Sequence, residues 1–217
     1  LLMASLDLAR RQLALKGKSL LSRSLELAWS LRRRLSRIKG LAVLSPEHLP
    51  EHCAMDPGYV VISVRELGLS GYQVQQLLAE RYRVFVEMAD STNILAIVSI
   101  GTSREDCQKL AGAMEDIALR ERTNRSIPAL KMPTSFKVVL KPREAWYASS
   151  RPVNLEEAVG KISAESVAVY PPGIPVINPG EEITGEILNY LQEVSQKNIA
   201  CQGPADPTLK TIRVVVE

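Results

Sequence analysis

The sequence predicts an α+β chain in two units, on three observations. Capped amphipathic helices alternate with short apolar strands from Leu1 to Arg122. A strand–turn–strand stretch, Val84–Gly101 (VFVEMADSTNILAIVSIG), sits at the centre of that region. A polar segment with two prolines, Thr123–Ser135, then separates it from a second set of elements. The order helix, strand, strand, helix, strand, strand, helix suits a small sheet with helices packed on one face. The expected units are 1–127 and 128–217.

Bulk composition narrows the class of protein. The 217 residues suffice for one large domain or two small ones. A hydrophobic fraction of 46% and a charged fraction of 24% are those of a globular chain. The net charge of +3 is too small to imply a nucleic-acid partner. No apolar run approaches the roughly 18 residues that cross a bilayer, so no membrane role is expected. Cys53, Cys107 and Cys201 stand far apart and in no metal or redox spacing, which favours reduced thiols in a cytoplasmic setting.

Residues 1–16 read as a helix already in progress, with Leu2, Leu6 and Leu13 on one side and no N-cap; the natural polypeptide is expected to extend upstream. Gly17 is expected to break this helix, and Ser19 to open a second one reaching Ile38. Leu20, Leu21, Leu25, Ala28, Leu31, Leu35 and Ile38 form its apolar stripe. Arg23, Arg32, Arg33, Arg34, Arg37 and Lys39 form its basic face, read as a solvated helix end facing the negative pole of the macrodipole. Strands follow at Leu41–Leu44 and Tyr59–Val64. Between them His48, Glu51, His52 and Cys53 resemble a metal cluster, but Pro50 spoils the helix that an i, i+4 ligand pair needs. Ser70 caps a helix to Tyr82, and Thr102 or Ser103 caps another through Arg122. Beyond the boundary, Phe136–Leu140 reads as a strand and Asn154 as the cap of a helix reaching Val169. Tyr170–Pro175 reads as a rigid proline corner leading into a short strand. Pro179–Glu182 is expected to open a helix through Asn198, and Thr211–Glu217 to close the chain as a strand.

Within the central stretch, Val84, Val86 and Met88 are expected on one face, and Phe85, Glu87 and Ala89 on the other. Ile94–Ile100 is nearly all apolar, which suits a strand covered on both faces. Glu87 is the odd residue, because an unpaired carboxylate on an apolar strand costs several kcal/mol if buried. Pattern alone favours a strand with one solvated face. The sharper reading is an anion awaiting a cation.

The motifs carry a family resemblance. YPPGIPVINPGEEIT (Tyr170–Thr184) resembles the C-terminal signature of the ornithine/lysine/arginine decarboxylases. PREAWYA (Pro142–Ala148), EEAVGKISAE (Glu156–Glu165) and DPTLKTIRVV (Asp206–Val215) are similar to that family's C-terminal domain. LLMASLDLARRQL resembles the helix after its active-site segment, and VEMAD…NILAIVSIG its small-domain hairpin. The resemblance implies an aminotransferase-type small domain, a sheet with helices on one face, followed by a small α/β C-terminal domain. It also implies pyridoxal phosphate as cofactor, a basic amino acid as substrate and at least a dimer. In the family the cofactor is held by a lysine preceded by histidine, in the large domain. His48 and His52 are the only histidines here, and neither precedes a lysine, so the cofactor-binding N-terminal domain is missing from this chain. No catalytic, cofactor-binding or metal residue is therefore assigned. Glu87 matches the family's glutamate for the substrate's distal cation. Tyr170 is the second candidate substrate-binding residue, with plain packing as the equal alternative. Arg143, Glu144, Glu181 and Glu182 are read as structural: helix-start acids and inter-domain pairs. The rival readings are a non-catalytic binding or assembly module, and a separately made subunit that pairs with a cofactor-bearing partner.

Overall fold

A computed structural model of the chain describes residues 1–217 except Asn124, Ser126, Ala129, Pro171, Pro172, Asn198 and Glu217. It divides into two compact units, Leu1–Pro128 and Ala129–Glu217.

The first unit opens with one long helix, α1 (Leu2–Leu35), not two. A single glycine costs a helix about 1 kcal/mol, which is too little to interrupt 34 residues of otherwise helix-forming sequence. Gly17 therefore lies inside the helix. Strands β1 (Ala42–Val43) and β2 (Tyr59–Ser63) follow, then α2 (Gly71–Tyr82), β3 (Met88–Ala89), β4 (Asn93–Ile97) and α3 (Arg104–Arg120). Both later helices start where the sequence places them. Ser70 accepts the Gln73 N–H and Ser103 accepts the Asp106 N–H, each within a full capping box.

The four strands form an antiparallel sheet in the order β1-β2-β4-β3. The register pairs Val43 with Ile62, Val60 with Ala96, Ile62 with Ile94 and Ala89 with Ile94, so these buried residues share one face. Ala28, Leu31 and Leu35 of α1, Val74 and Leu78 of α2, and Leu110, Met114 and Ile117 of α3 belong to the same core. Burial along β4 alternates, so this strand is covered on one face and not on both, as its apolar run suggested. The other face carries Tyr59, Val61, Leu95 and Ile97, exposed or half-buried.

Arg32 belongs to the interior, although the sequence places it on a solvated basic face. It is only 3% exposed. Its Nη1 donates to Leu44 O. Nη2 donates to Tyr59 O at 2.5 Å, and both Nε and Nη2 reach Pro57 O at 3.4 Å. The guanidinium also stands over the Trp29 ring, 5.5 Å from its centroid. Burial lowers its pKa from the usual arginine value. One side chain thus satisfies three backbone carbonyls where the helix end, the β1 exit and the β2 entry meet.

In the second unit, α4 (Pro142–Tyr147) precedes β5 (Ser150–Asn154), β6 (Val167–Val169), β7 (Ile174–Ile177), α5 (Gly185–Gln196), β8 (Cys201–Gln202) and β9 (Thr211–Val215). β5 pairs antiparallel with β9, and β6 lies between β7 and β8. Ile187, Tyr190, Leu191 and Val194 of α5 join Val167, Val176, Ile177, Ile212 and Val214 in one core. The helix expected over 154–169 is instead a single 3-10 turn, Leu155–Glu157, followed by a loop and β6. Gly160 at φ +79° turns the chain there, and the β-branched Val167 and Val169 favour the sheet. Phe136–Leu140 forms only an isolated bridge, Val138 to Glu181. α5 begins at the Thr184 cap, because Pro179–Glu182 is occupied by a turn. Gly180 sits at φ +94° in that turn, and a Cβ there would lie 2.2 Å from Leu140 O. Its carbonyl accepts the N–H groups of Val139 and Leu140, and its own N–H donates to Ser163 O.

Two carboxylates tie the C-terminal segment into this unit. Glu165, 7% exposed, accepts the Ala205 N–H at 2.8 Å and the Arg213 N–H at 2.9 Å. Asp206 gathers Thr208 Oγ1 at 2.6 Å, Thr208 N at 3.0 Å and Thr211 N at 2.9 Å, which brings its pKa down from 3.8 to about 2. The turn it closes holds Leu209 at φ 54°, a conformation costly for a branched side chain, offset by burial of that leucine at 2% exposure.

Two outcomes follow. Arg32→Ala leaves three carbonyls without a donor and is expected to cost about 2–4 kcal/mol, with Arg32→Lys recovering only part because one ammonium cannot reach all three. Urea denaturation of the chain, read in the first unit, measures this. The Asp206 carboxylate, depressed in the folded state, stabilises the second unit above the unfolded pKa of 3.8, and that contribution is lost as pH falls toward about 2. Asp206→Asn is expected to flatten the decline of Tm across that window, as measured by thermal melts at stepped pH.

Candidate functional site

The residues singled out by sequence fall in different units, Glu87 in the first and Tyr170 in the second. Glu87 owes its placement to a local irregularity. α2 ends with Arg83 in the left-handed region at φ 52°, and the chain runs on as Val84–Val86 without joining the ladder. Val84 and Val86 pack on the core while Phe85 is 78% exposed, as alternation requires. Glu87 N–H then donates to Leu95 O at 2.9 Å, although Leu95 is already the register partner of Met88. Two residues thus oppose one, which is the arrangement of a β-bulge.

The bulge changes the phase of the strand. Ala89 turns into the core, but Glu87 does not follow it inward and is exposed. The expected grouping of Phe85, Glu87 and Ala89 on one face therefore fails at Ala89. Among the described residues no hydrogen bond or ion pair involves the Glu87 carboxylate. It stands at the edge of the uncovered sheet face, next to the Met88–Leu95 pair, with Ile97, Val61 and Tyr59 farther across that face. Chemically this is an apolar wall with one anion at its rim. Such a surface suits a ligand with an aliphatic stem and a terminal cation.

The turn that follows is tightly built. Asp90 Oδ1 accepts the N–H groups of Thr92 and Asn93, each at 2.7 Å, and Asp90 N–H donates to Asn93 O. Thr92 O accepts the Val64 N–H at 2.9 Å, which ties the turn to the end of β2. Gly71, the first residue of α2, lies directly against it: a Cβ there would meet Asn93 O at 2.0 Å and Asp90 O at 2.4 Å.

A separate cleft of about 490 Å³ opens in the first unit between the Arg83–Val86 segment, the end of β4 and α3. Arg83 and Lys109 contribute cations to it, and Lys109 Nζ donates to Arg83 O at 3.1 Å. Cys107 lines it too, but burial pushes that thiol's pKa up, which makes it a poor nucleophile. Glu87 does not line this cleft.

Tyr170 is 49% exposed, and a Cβ at Gly173 would lie 3.3 Å from its Cδ2, so its ring covers that glycine. The proline corner expected after it, Pro171–Pro172, lies outside the described residues. The acids read as inter-domain pairs are used within the second unit: Glu181 accepts the Asn178 N–H at 2.8 Å, and Glu182 pairs with Lys137 at 2.6 Å. Glu144 accepts the Lys141 N–H at 3.1 Å. Sequence reasoning missed the bulge and the Asp90 cage. The cue available to it was the aspartate itself, three residues before Asn93, where its side chain can cap the turn.

Comparison with known proteins gives this geometry a family. Residues 127–203 match the Orn/Lys/Arg decarboxylase C-terminal domain. The chain corresponds to the C-terminal part of that family. The arginine decarboxylase of Bacillus subtilis (strain 168) is 40% identical over 223 residues, covering 100% of this chain and 45% of the relative. The arginine decarboxylase of Bacillus anthracis is 35% identical over 222 residues, again covering 100% and 45%. The chain therefore spans about half the length of these family members. The fold is shared with the Escherichia coli constitutive lysine decarboxylase at a TM-score of 0.68 and 19% identity, over 92% of this chain and 41% of that one. The Pseudomonas aeruginosa lysine decarboxylase A gives 0.68 at 17% identity, over 92% and 40%.

The packing beneath the turn gives one test. Gly71→Ala drives a methyl group into two carbonyl oxygens and is expected to cost at least about 2 kcal/mol, more than helix propensity returns. Chemical denaturation of the variant chain measures it.

Proposed function

We propose that this chain is the substrate-side part of a pyridoxal-phosphate-dependent decarboxylase of basic amino acids. Its first unit acts as the aminotransferase-type small domain and its second as the C-terminal domain. The observation that carries the reading is the bulge that turns Glu87 out beside an apolar sheet face. The aliphatic stem of arginine, lysine or ornithine lies along Met88, Leu95 and their neighbours, and the distal cation pairs with the Glu87 carboxylate. Arginine decarboxylases among the curated relatives, one at 40% identity over the whole chain, support the substrate class. Tyr170, in the second unit, is the second candidate substrate-binding residue through its phenol.

Neither histidine precedes a lysine, and none of the lysines is buried. The group that supplies carbanion stabilisation belongs to the N-terminal domain of the longer protein, and the residues here bind and orient substrate. A separately made subunit completing a cofactor-bearing partner uses the wall in the same way. The assembly is at least a dimer and cytoplasmic.

Glu87→Gln in the full-length enzyme is expected to lower kcat/KM for the basic amino acid at least about tenfold, since removing one partner of an enclosed charge pair costs upwards of about 2 kcal/mol. Stability is expected to change by less than about 0.5 kcal/mol, the carboxylate being exposed and the amide isosteric. Steady-state kinetics with a thermal melt of the same variant separate the two effects. Unchanged kcat/KM with lysine, ornithine and arginine overturns the assignment.

A further inference from the structure

We infer that Asp90 is a positioning residue for Glu87: by closing the turn it holds the bulge that keeps the Glu87 carboxylate on the open face of the sheet. The inference rests on the reading of Glu87 as the partner of the substrate's cation.

β3 cannot place Glu87 by itself. It is two residues long, an edge strand, and joined to β4 by the pairs Met88–Leu95 and Ala89–Ile94. So short a ladder specifies register weakly. A bulge relaxed into regular pairing would swing Glu87 to the face of Ala89, into the helix-covered core. There an unpaired carboxylate costs several kcal/mol, so the strand would open instead of repacking. Either outcome removes the carboxylate from the wall.

The turn supplies the missing constraint, and Asp90 is its centre. Half-buried, it accepts five hydrogen bonds from two residues: the backbone N–H groups of Thr92 and Asn93, each at 2.7 Å, the Thr92 hydroxyl at 3.4 Å, and the Asn93 amide, at 3.1 Å to Oδ1 and 2.9 Å to Oδ2. Asp90 N–H to Asn93 O, at 2.9 Å, closes the hairpin immediately before the Ala89–Ile94 pair. Counting back from that fixed point, Met88 meets Leu95, and Glu87 becomes the extra residue. The cage sits three residues from Glu87 and does not touch it, so Asp90 acts on substrate only through the strand.

Asp90→Asn keeps an oxygen for the two backbone donors and loses only the contact with the Asn93 amide at Oδ2. Asp90→Ala loses all five. In the full-length enzyme, Asp90→Ala is expected to raise KM for the basic amino acid at least about tenfold while kcat changes less than about threefold, and Asp90→Asn to stay within about threefold in both, because the affected interaction is one of binding. In an Asp90→Ala/Glu87→Gln double variant the second change is expected to cost less than about twofold beyond the first, since the two act as one unit. Hydrogen exchange at the Glu87 amide, which donates to Leu95 O, is expected to accelerate in Asp90→Ala. Unchanged exchange there, or additive losses in the double variant, overturns the positioning role. Glu87→Gln without kinetic effect overturns the substrate reading instead, and the exchange measurement then still decides whether Asp90 fixes the bulge.

Discussion

A buried guanidinium whose partners are backbone carbonyls holds the first unit together. Arg32 binds Leu44 O, Pro57 O and Tyr59 O, the carbonyls that flank the first two strands where they meet α1. Regular pairing cannot serve all of these oxygens, because the chain enters and leaves the sheet there. An arginine can, because its donors fan out in a fixed plane. The anchoring sets α1 against β2, and with it the choice of which sheet face the helices cover. The opposite face stays open, and the candidate site lies on that face.

The second unit solves a similar problem with carboxylates and glycines. Its strands are short and its connections long, so backbone groups must find partners outside regular ladders. Glu165 and Asp206 gather N–H groups from the C-terminal segment, and Gly180 takes a position that no side chain fits. The proline–glycine signature shared with the decarboxylase family therefore has a packing explanation at Gly180: the Leu140 carbonyl occupies the space a Cβ would need. Its acids are likewise consumed inside the unit, Glu181 by the Asn178 N–H and Glu182 by Lys137. Glu87 differs from all of these in having its carboxylate free of protein partners among the described residues.

Legibility in the sequence followed how local the deciding interaction is. Ser70 and Ser103 were readable as caps because a cap is settled within four residues. The strands at Tyr59 and Thr211 were readable from apolar and β-branched patterning. Gly17 misled because its helix penalty is small beside the cooperativity of a long helix. Residues 154–169 misled because Asn154 offers a cap and the mixed apolar and polar spacing behind it fits a helix as readily as a turn and a short strand. Arg32 was assigned to solvent with its neighbours, since periodicity cannot tell which basic residue of a cluster faces a set of distant carbonyls.

The sequence alone determined the mixed helix-and-sheet composition, the helix caps at Ser70 and Ser103 and the resemblance to the Orn/Lys/Arg decarboxylases, and it singled out Glu87 as an acid within an apolar stretch. Each rests on residue types and spacings along the chain. Only the tertiary structure decided where that acid stands. The one-residue phase change between Glu87 and Ala89 depends on a hydrogen bond to Leu95 across the hairpin and on a turn wedged against Gly71. Those contacts join segments that pattern reads one at a time, so alternation carried through the bulge assigned Glu87 and Ala89 to the same face, and the fold separates them.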